Sequence, residues 1–302
     1  MINIEELFSL NDVSEIIGKL KERSIYVPSW SKLIIEYEPS LHEIVEDKTG
    51  RRDKILPGGI VEKAARIPIG LEKLLTRRIS EFTVSIPVKR IYSYDKNDGT
   101  LKSIAKAIEK IYTNAHIDAE NMKRAKCYYA SCEMFTLWYT QRKKNNLYGF
   151  ESEYKLKCRT FSPMDGVHIY PLFDEYEDLL ALSFEYDKKV ADTTITFFET
   201  FTSTHHYKWN SSSEDNTNGW QLITSDEISI EKIPAIYWYR HEPCWEGLKP
   251  IRENIEYTIS RNSDVIAYNS APILKVAGAI VGEEHKGETR RVYRVMENGD
   301  VS

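Results

Sequence analysis

Forty residues, from Ile233 to Pro272, hold a short strand, a hinge and one long helical repeat that stops at a proline, and no other part of the chain limits the fold as strongly. Ile233-Pro234 opens an aromatic and apolar run, Ala235 to Tyr239, which reads as a core strand because proline suits only a strand's start or edge. Pro243 and Gly247 then break the pattern. From Leu248 a helical period takes over. At about 100° per residue Leu248, Ile251, Ile255, Ile259 and Ile266 fall on one side, and Lys249, Glu253, Glu256, Tyr257, Ser260 and Asp264 lie broadly opposite. The spacing predicts a helix over 248–270, roughly 35 Å long at ~1.5 Å per residue, with the isoleucine side packed and the polar side wet. On a lone monomer the stripe must fold back onto the rest of the chain. Among identical copies it can seat against a neighbouring or returning helix. An ordinary surface helix over a larger core fits the same period.

Composition sets outer bounds. The chain has 302 residues, 41% hydrophobic and 29% charged, enough for one or two domains with a real core. A net charge of −5 argues against a protein that grips nucleic acid by neutralising phosphates, yet permits a wall past which DNA slides. Cys127, Cys132, Cys158 and Cys244 are scattered without CxxC pairing, which suits free thiols in a reducing cytoplasm. The first ten residues lack the basic region of a secretory signal, and eighteen apolar residues never run together, so neither export by that route nor a membrane span is expected.

Residues 3–21 carry an amphipathic helical pattern, Pro28 and Trp30 mark a loop, and 46–59 reads as an exposed, charged arm. Ile60 to Ser80 predicts a helix split or bent at Pro68. FTVSIPVKRIYSY, 82–94, reads as extended chain, Asp95 to Gly99 as a turn, and 100–113 and 117–141 as helices, the second with Met122, Ala125, Tyr129, Cys132, Phe135, Leu137 and Trp138 on its apolar face. From Tyr154 to Thr224 short β-prone runs alternate with turn residues, predicting an antiparallel block of five to seven strands, with 211–219 as its widest loop. Helices at one end and consecutive strands at the other make the fold class α+β.

That succession resembles the tailed-bacteriophage portal family, in its siphophage-type branch, with 232–278 similar to the passage from wing to stem. KAARIPIGLEKLLTRRISEFTVSIPVKR, 63–90, looks like the wing helix and following segment, with Ile86 where the family often has a glycine. AENMKRAKCYYASCEMFTLWY, 119–139, is similar to the next wing helix. SPMDGVHIYPLFDEYEDLLALSFEY, 162–186, resembles the strand–turn–strand, including Tyr-Pro-Leu-Phe-Asp at 170–174. The likeness runs from about Arg51 onward.

The resemblance implies an N-terminal helix and arm (1–57), a portal-like α+β wing (58–240), a hinge and first stem helix (241–277) and the start of a clip domain (278–302). It implies a structural protein without catalytic residues, cofactor or metal. Such a protein is a ring homo-oligomer, typically of twelve subunits, at a capsid vertex of the virion, assembled in the bacterial host cytoplasm. Double-stranded DNA passes through non-specifically in packaging and ejection. The partners implied are the terminase large subunit, head-tail adaptor proteins and the major capsid or scaffolding protein, with no membrane. On the helix, Lys249, Glu253, Glu256, Ser260 and Asp264 become candidates to face the channel, and Leu248, Ile251, Ile255, Ile259 and Ile266 the stem packing stripe. Exposed carboxylates there would repel phosphates over ~8–10 Å. Alternatively, the same carboxylates pair with Arg252 and Arg261 between subunits. Arg290 to Met296 alternates as a strand before an Asn298-Gly299 hairpin turn, and no return strand follows, so a piece of a longer protein is expected.

Other chemistry finds little footing. Asp95 to Gly99 lacks the spacing and final glutamate of a calcium loop. His42-Glu43 begins like a zinc-protease helix, but Glu46 stands where the second histidine is needed, and His205-His206 point to opposite faces of a strand. No GxSxG, GxxxxGK[ST] or GxGxxG occurs. The alternative reading is a monomeric α+β hydrolase or binding module with a dispersed site, which predicts a concave pocket of converging polar groups. A ring predicts instead an isoleucine stripe left exposed on the single chain.

Overall fold

The structure, a computed structural model, describes residues 4–10, 12–46, 51–55, 59, 61–94, 98–190, 193–212, 219–270, 273–277 and 291–295. The helices among them are α1 (Ile4–Phe8), α2 (Val13–Leu20), α3 (Trp30–Tyr37), α4 (Leu71–Val84), α5 (Gly99–Asn114), α6 (Ile117–Ser131) and α7 (Lys249–Asn269). The strands are β1 (Lys54–Ile55), β2 (Val61–Glu62), β3 (Glu133–Asn145), β4 (Ser152–Phe161), β5 (His168–Phe173), β6 (Leu179–Val190), β7 (Thr193–Thr202), β8 (His205–Ser212), β9 (Gln221–Glu227), β10 (Ala235–Tyr239), β11 (Ile273–Ala277) and β12 (Arg291–Val295). Helix and antiparallel sheet are segregated, and the class is α+β. The chain divides into two compact units, one of residues 1–33 and 75–244, the other of 34–74 and 245–302. Each is therefore assembled from two separate stretches of sequence.

In the first unit β5 to β9 form an antiparallel meander, and β10-β3-β4 form a second sheet. Alternation along the strands gives the meander two apolar faces. Ile169, Leu182, Phe184 and Phe201 pack on Phe135, Leu137 and Ala235 of the second sheet. On the opposite face Leu172, Ala181, Phe198 and Trp209 are covered by Leu7, Ile16, Ile17 and Leu20 of α1 and α2. One sheet thus has both surfaces buried, which explains why β6 and β7 read as near-continuous hydrophobic runs. The helical pattern over 3–21 is two helices, and Asp12 caps the second by accepting the Ser14 N–H at 2.8 Å.

Several expectations need correction here. The helix expected over 117–141 ends at Ser131: Cys132, at φ +62°, takes the left-handed conformation that stops it. Phe135, Leu137 and Trp138 then alternate along β3, held by pairing to β10 on one side and β4 on the other. Cross-strand packing of aromatic residues outweighs the apparent helical period. Phe82 to Val84 belongs to α4, and 85–94 adopts no strand. Trp30, expected in a loop, opens α3. The predicted turn at 95–99 falls mostly outside the described residues, but Asp98 caps α5 by accepting the Thr100 N–H at 2.8 Å. The Asn298-Gly299 turn also lies outside them.

In the second unit the stretch expected to be helical from Ile60 is not. Val61-Glu62 pairs with Lys54-Ile55 as a short antiparallel ribbon, 63–70 carries neither helix nor strand, and helix starts only at Leu71. Pro68 does more than bend a helix; it belongs to a segment whose backbone donors are committed elsewhere.

The first unit contains an acid-labile element. Glu199 on β7 accepts hydrogen bonds from Lys208 Nζ at 2.7 Å, Tyr186 Oη at 2.7 Å and His206 Nε2 at 3.1 Å. Burial pushes its carboxyl up, but these three donors and the Lys208 charge win and hold it down at about 2. A carboxyl depressed in the folded state contributes stability that is present above its unfolded pKa and lost as pH falls through the folded one. The Glu199→Gln variant should therefore lose roughly 3 kcal/mol of stability at neutral pH and show a flatter decline in urea midpoint between pH 4.5 and 2 than the parent. Equal slopes for the two proteins in that window would show that Glu199 is not the group titrating.

Candidate functional site

Helix α7 is the feature on which the sequence placed its functional residues. Gly247, at φ +77°, lets the chain turn sharply after Trp245, whose carbonyl accepts the Leu248 N–H at 3.0 Å. Pro250 sits in the first turn, where its missing N–H has no helical partner to lose. The helix is twenty-one residues long in all, about 32 Å at ~1.5 Å per residue.

The buried side of this helix is its polar side. Arg252, Glu256 and Ser260 are 3%, 1% and 0% exposed, while Ile251, Ile255, Ile259 and Ile266 are all exposed, Ile266 to 68%. The cause is a ladder between side chains of α7 and the backbone of 65–69. Ala65 N–H donates to Asp264 Oδ1 at 3.0 Å, Ile67 N–H to Ser260 Oγ at 2.9 Å, and Ile69 N–H to Glu256 Oε1 at 2.8 Å. Every second residue of the segment meets every fourth residue of the helix, in opposite directions. The two repeats match because two extended residues span ~6.6 Å and four helical residues ~6 Å. Pro68, which has no N–H, falls on the parity that donates nothing to the helix.

Beyond the ladder lies a charged cluster. Arg252 Nε stands 2.9 Å from Glu72 Oε1, in charge contact rather than an aligned hydrogen bond, and Arg252 Nη1 is 3.6 Å from Glu256 Oε2. His42 places Nδ1 2.6 Å from Glu256 Oε1 and Nε2 2.8 Å from the Glu36 carbonyl. A carbonyl only accepts, so Nε2 carries a hydrogen. The close approach of Nδ1 to a carboxyl oxygen then requires a second proton between them. Arg252, Glu72, Glu256 and His42 thus form a buried quartet of ionisable side chains. Burial pushes the Glu72 carboxyl up, and its own backbone N–H and the charges of Arg252 and His42 pull the other way. Trp245 completes the unit's interior, donating Nε1–H to Glu36 Oε2 at 3.1 Å with its ring 5.5 Å from that of Tyr37.

These positions correct the site expected from sequence. Glu256 and Ser260 are sealed against their own chain, and Asp264, partly exposed, is bound by Arg51 and Ala65, so all three are engaged within the chain and not presented as an open channel wall. Arg252 is spent within the same chain and is no intersubunit partner for them. Of the polar candidates, Lys249 is exposed, and Glu253 is partly covered and lies 3.8 Å from Lys249. The stripe residues Ile251, Ile255, Ile259 and Ile266 share one exposed side, about a quarter turn from the buried one; Leu248 at its head is half-buried. His42 and Glu72 were not assigned a role from sequence. The run Arg252, Glu256, Ser260, Asp264, polar at every fourth position, was the available signal for a buried polar stripe.

The alternative of a pocket enzyme can be weighed in the first unit, where a groove of about 1360 Å³ runs past Trp138, Arg159, Tyr186, Glu199, His206 and Ile236. Among the polar groups that line it, Glu199 and His206 lie together and share their contacts with Tyr186 and, from beside the groove, Lys208. They satisfy one another. A carboxylate already accepting three hydrogen bonds, with its pKa near 2, is a poor base at neutral pH. No group of three or more potential metal ligands occurs among the described residues, and no described helix is long and apolar enough to cross a membrane.

Residues 40–302 match the protein-family model described as "Phage portal protein, SPP1 Gp6-like". That span takes in the ladder, the charged quartet and the whole of α7. No curated protein matches the chain.

If polar contacts orient α7, its mutational profile should be inverted relative to an ordinary amphipathic helix. Glu256→Ala, which strands Arg252, His42 and the Ile69 N–H, should cost about 3–5 kcal/mol in urea unfolding. Ile255→Ala should stay within about 0.5 kcal/mol. The opposite ranking would mean that the isoleucine side is the one the fold buries.

Proposed function

Because the chain belongs to the SPP1 Gp6-like phage portal family, we propose that it is a portal subunit that closes into a ring at a capsid vertex, with α7 as a stem helix and double-stranded DNA passing through the ring in packaging and ejection. The observation that carries this reading is the exposed apolar side of α7. Ile251, Ile255, Ile259, Val265 and Ile266 are solvent-facing on a helix whose orientation is already fixed by buried polar contacts. A protein that stayed monomeric would gain nothing from that stripe and would carry the hazard of non-specific association. In a ring each copy offers one surface to the next, and the rotation closes on itself.

The first unit carries a second apolar surface of the same kind: Phe82, Ile86, Val88 and Ile91 are all exposed. Terminase, head-tail adaptors and capsid or scaffolding protein follow as partners from family membership, and the virion as location. Of the carboxylates expected to repel phosphates, Glu256 and Asp264 are engaged within the subunit, and Glu253, partly exposed, lies 3.7 Å from Arg252 and 3.8 Å from Lys249. A ring built this way needs no catalytic group.

Replacing Ile255 and Ile259 together by glutamate tests the interface without touching the ladder. Sedimentation and negative-stain electron microscopy should show rings for the parent and single subunits for the double variant, with the free energy of urea unfolding changed by less than about 1 kcal/mol. Rings of undiminished yield from the variant would remove the stripe from the interface.

A further inference from the structure

Where the β1–β2 ribbon meets the C-terminal half of α7, a cavity of about 310 Å³ is lined by Arg51, Arg52, Lys54, Lys63 and Arg261, against the carboxylates of Glu62 and Asp264. Five cations to two anions leave three positive charges in excess, in a chain whose net charge is −5. Asp264 and Arg51 engage each other, and Asp264 also accepts the Ala65 N–H at 3.0 Å, so this anion and this cation offset one another. The frame under these residues is held in place. Arg66 donates from Nε at 2.9 Å and Nη2 at 2.7 Å to the Arg51 carbonyl, and Asp53 Oδ1 accepts both Arg66 Nη2 at 2.9 Å and the Ala64 N–H at 2.8 Å. Arg52, Lys54, Lys63 and Arg261 remain exposed above that frame.

We infer that this cavity is a phosphate-binding pocket, occupied by a backbone phosphate of double-stranded DNA. A rim carrying several like charges has a positive potential that concentrates anions from solution. Guanidinium groups match the tetrahedral oxygens of a phosphate in pairs, which a point-charge ammonium does not, and Arg52 and Arg261 reach the pocket from two different elements. The volume lies at the small end for ligand sites, fitting a phosphate with its waters. The pocket stands on its own residues; only the choice of duplex DNA as the phosphate's source rests on the portal reading.

The test uses the chain as it is, with a fluorescein-labelled duplex followed by anisotropy across a salt series and inorganic phosphate followed by titration calorimetry. Arg52→Ala and Arg261→Ala should each lower the salt slope of duplex binding by about one, which at ~0.1 M salt is about a tenfold loss of affinity. Both should weaken phosphate binding as well. Arg261→Lys should restore most of the duplex affinity through charge, and Lys143→Ala, an exposed cation of the first unit, should change nothing. Phosphate weakened with duplex unmoved would overturn DNA as the occupant. Neither ligand moved, or Lys143→Ala as damaging as the pocket variants, would overturn the pocket itself. Sedimentation of the same samples reports ring formation separately, so loss of the ring and loss of the pocket are distinguishable.

Discussion

Three backbone N–H groups, those of Ala65, Ile67 and Ile69, donate into three side chains of α7, and the arrangement of the second unit follows from that. A segment with neither helical nor strand partners must satisfy its donors some other way when it is covered. Here a helix supplies the acceptors. The exchange works only if the helix turns Asp264, Ser260 and Glu256 toward the segment, and once it does, Arg252 one turn earlier comes inside with them. Arg252 then requires Glu72, Glu256 is shared with His42, and the His42 ring is held through the Glu36 carbonyl. Hydrogen bonds to charged acceptors are worth roughly 1.5–3 kcal/mol each, and an abandoned buried donor costs a similar amount. The cluster is therefore poor as a source of net stability and strong as a determinant of rotation and register.

That distinction bears on function. An apolar contact is non-directional, and a helix held only by isoleucines could roll or slide to bury them. A helix held by three matched donors cannot roll without stranding all three. Its apolar side is thus presented at a defined angle, as a subunit interface repeated around a closed ring requires, because small angular errors accumulate from copy to copy. Family membership rests on the sequence match, and the exposed stripe is the structural feature that supports the ring proposed above.

Much of this was legible in the sequence, and the exceptions share a cause. The strand at 235–239, the hinge with Gly247 and the extent of α7 could be read from proline, glycine and period, all of which are local signals. The β block was legible from alternation, and six strands lie between Ser152 and Glu227. What could not be read was direction. The rule that apolar sides face inward failed on α7 because the partner of its polar side lies nearly two hundred residues away, in a segment that itself looked helical. Ala-Ala-Arg-Ile-Pro-Ile-Gly has acceptable helical composition apart from Pro68; its extended form is stabilised by acceptors on α7, not by its own propensity. Phe135 and Leu137 were misread for the same reason, since their strand partners at Phe161, Tyr237 and Ala235 are distant in sequence.

Net charge was the other misleading quantity. An overall −5 permitted a wall past which DNA slides, but the structure brings carboxylates into contact with basic side chains: Glu72 with Arg252, Glu256 with His42, Asp264 with Arg51, Asp53 with Arg66. Such pairing leaves the total unchanged and moves its location. A side chain spent inside cannot repel a phosphate outside, because the field of a compensated pair falls off far faster than that of a single charge. The charge presented around β1, β2 and the end of α7 is therefore not that of the whole chain, and the side chains lining the cavity there are mostly basic. A portal must let DNA slide without holding it, and a few weak phosphate contacts separated by apolar and neutral surface meet that requirement as well as uniform repulsion does, since each contact is readily exchanged as the duplex advances.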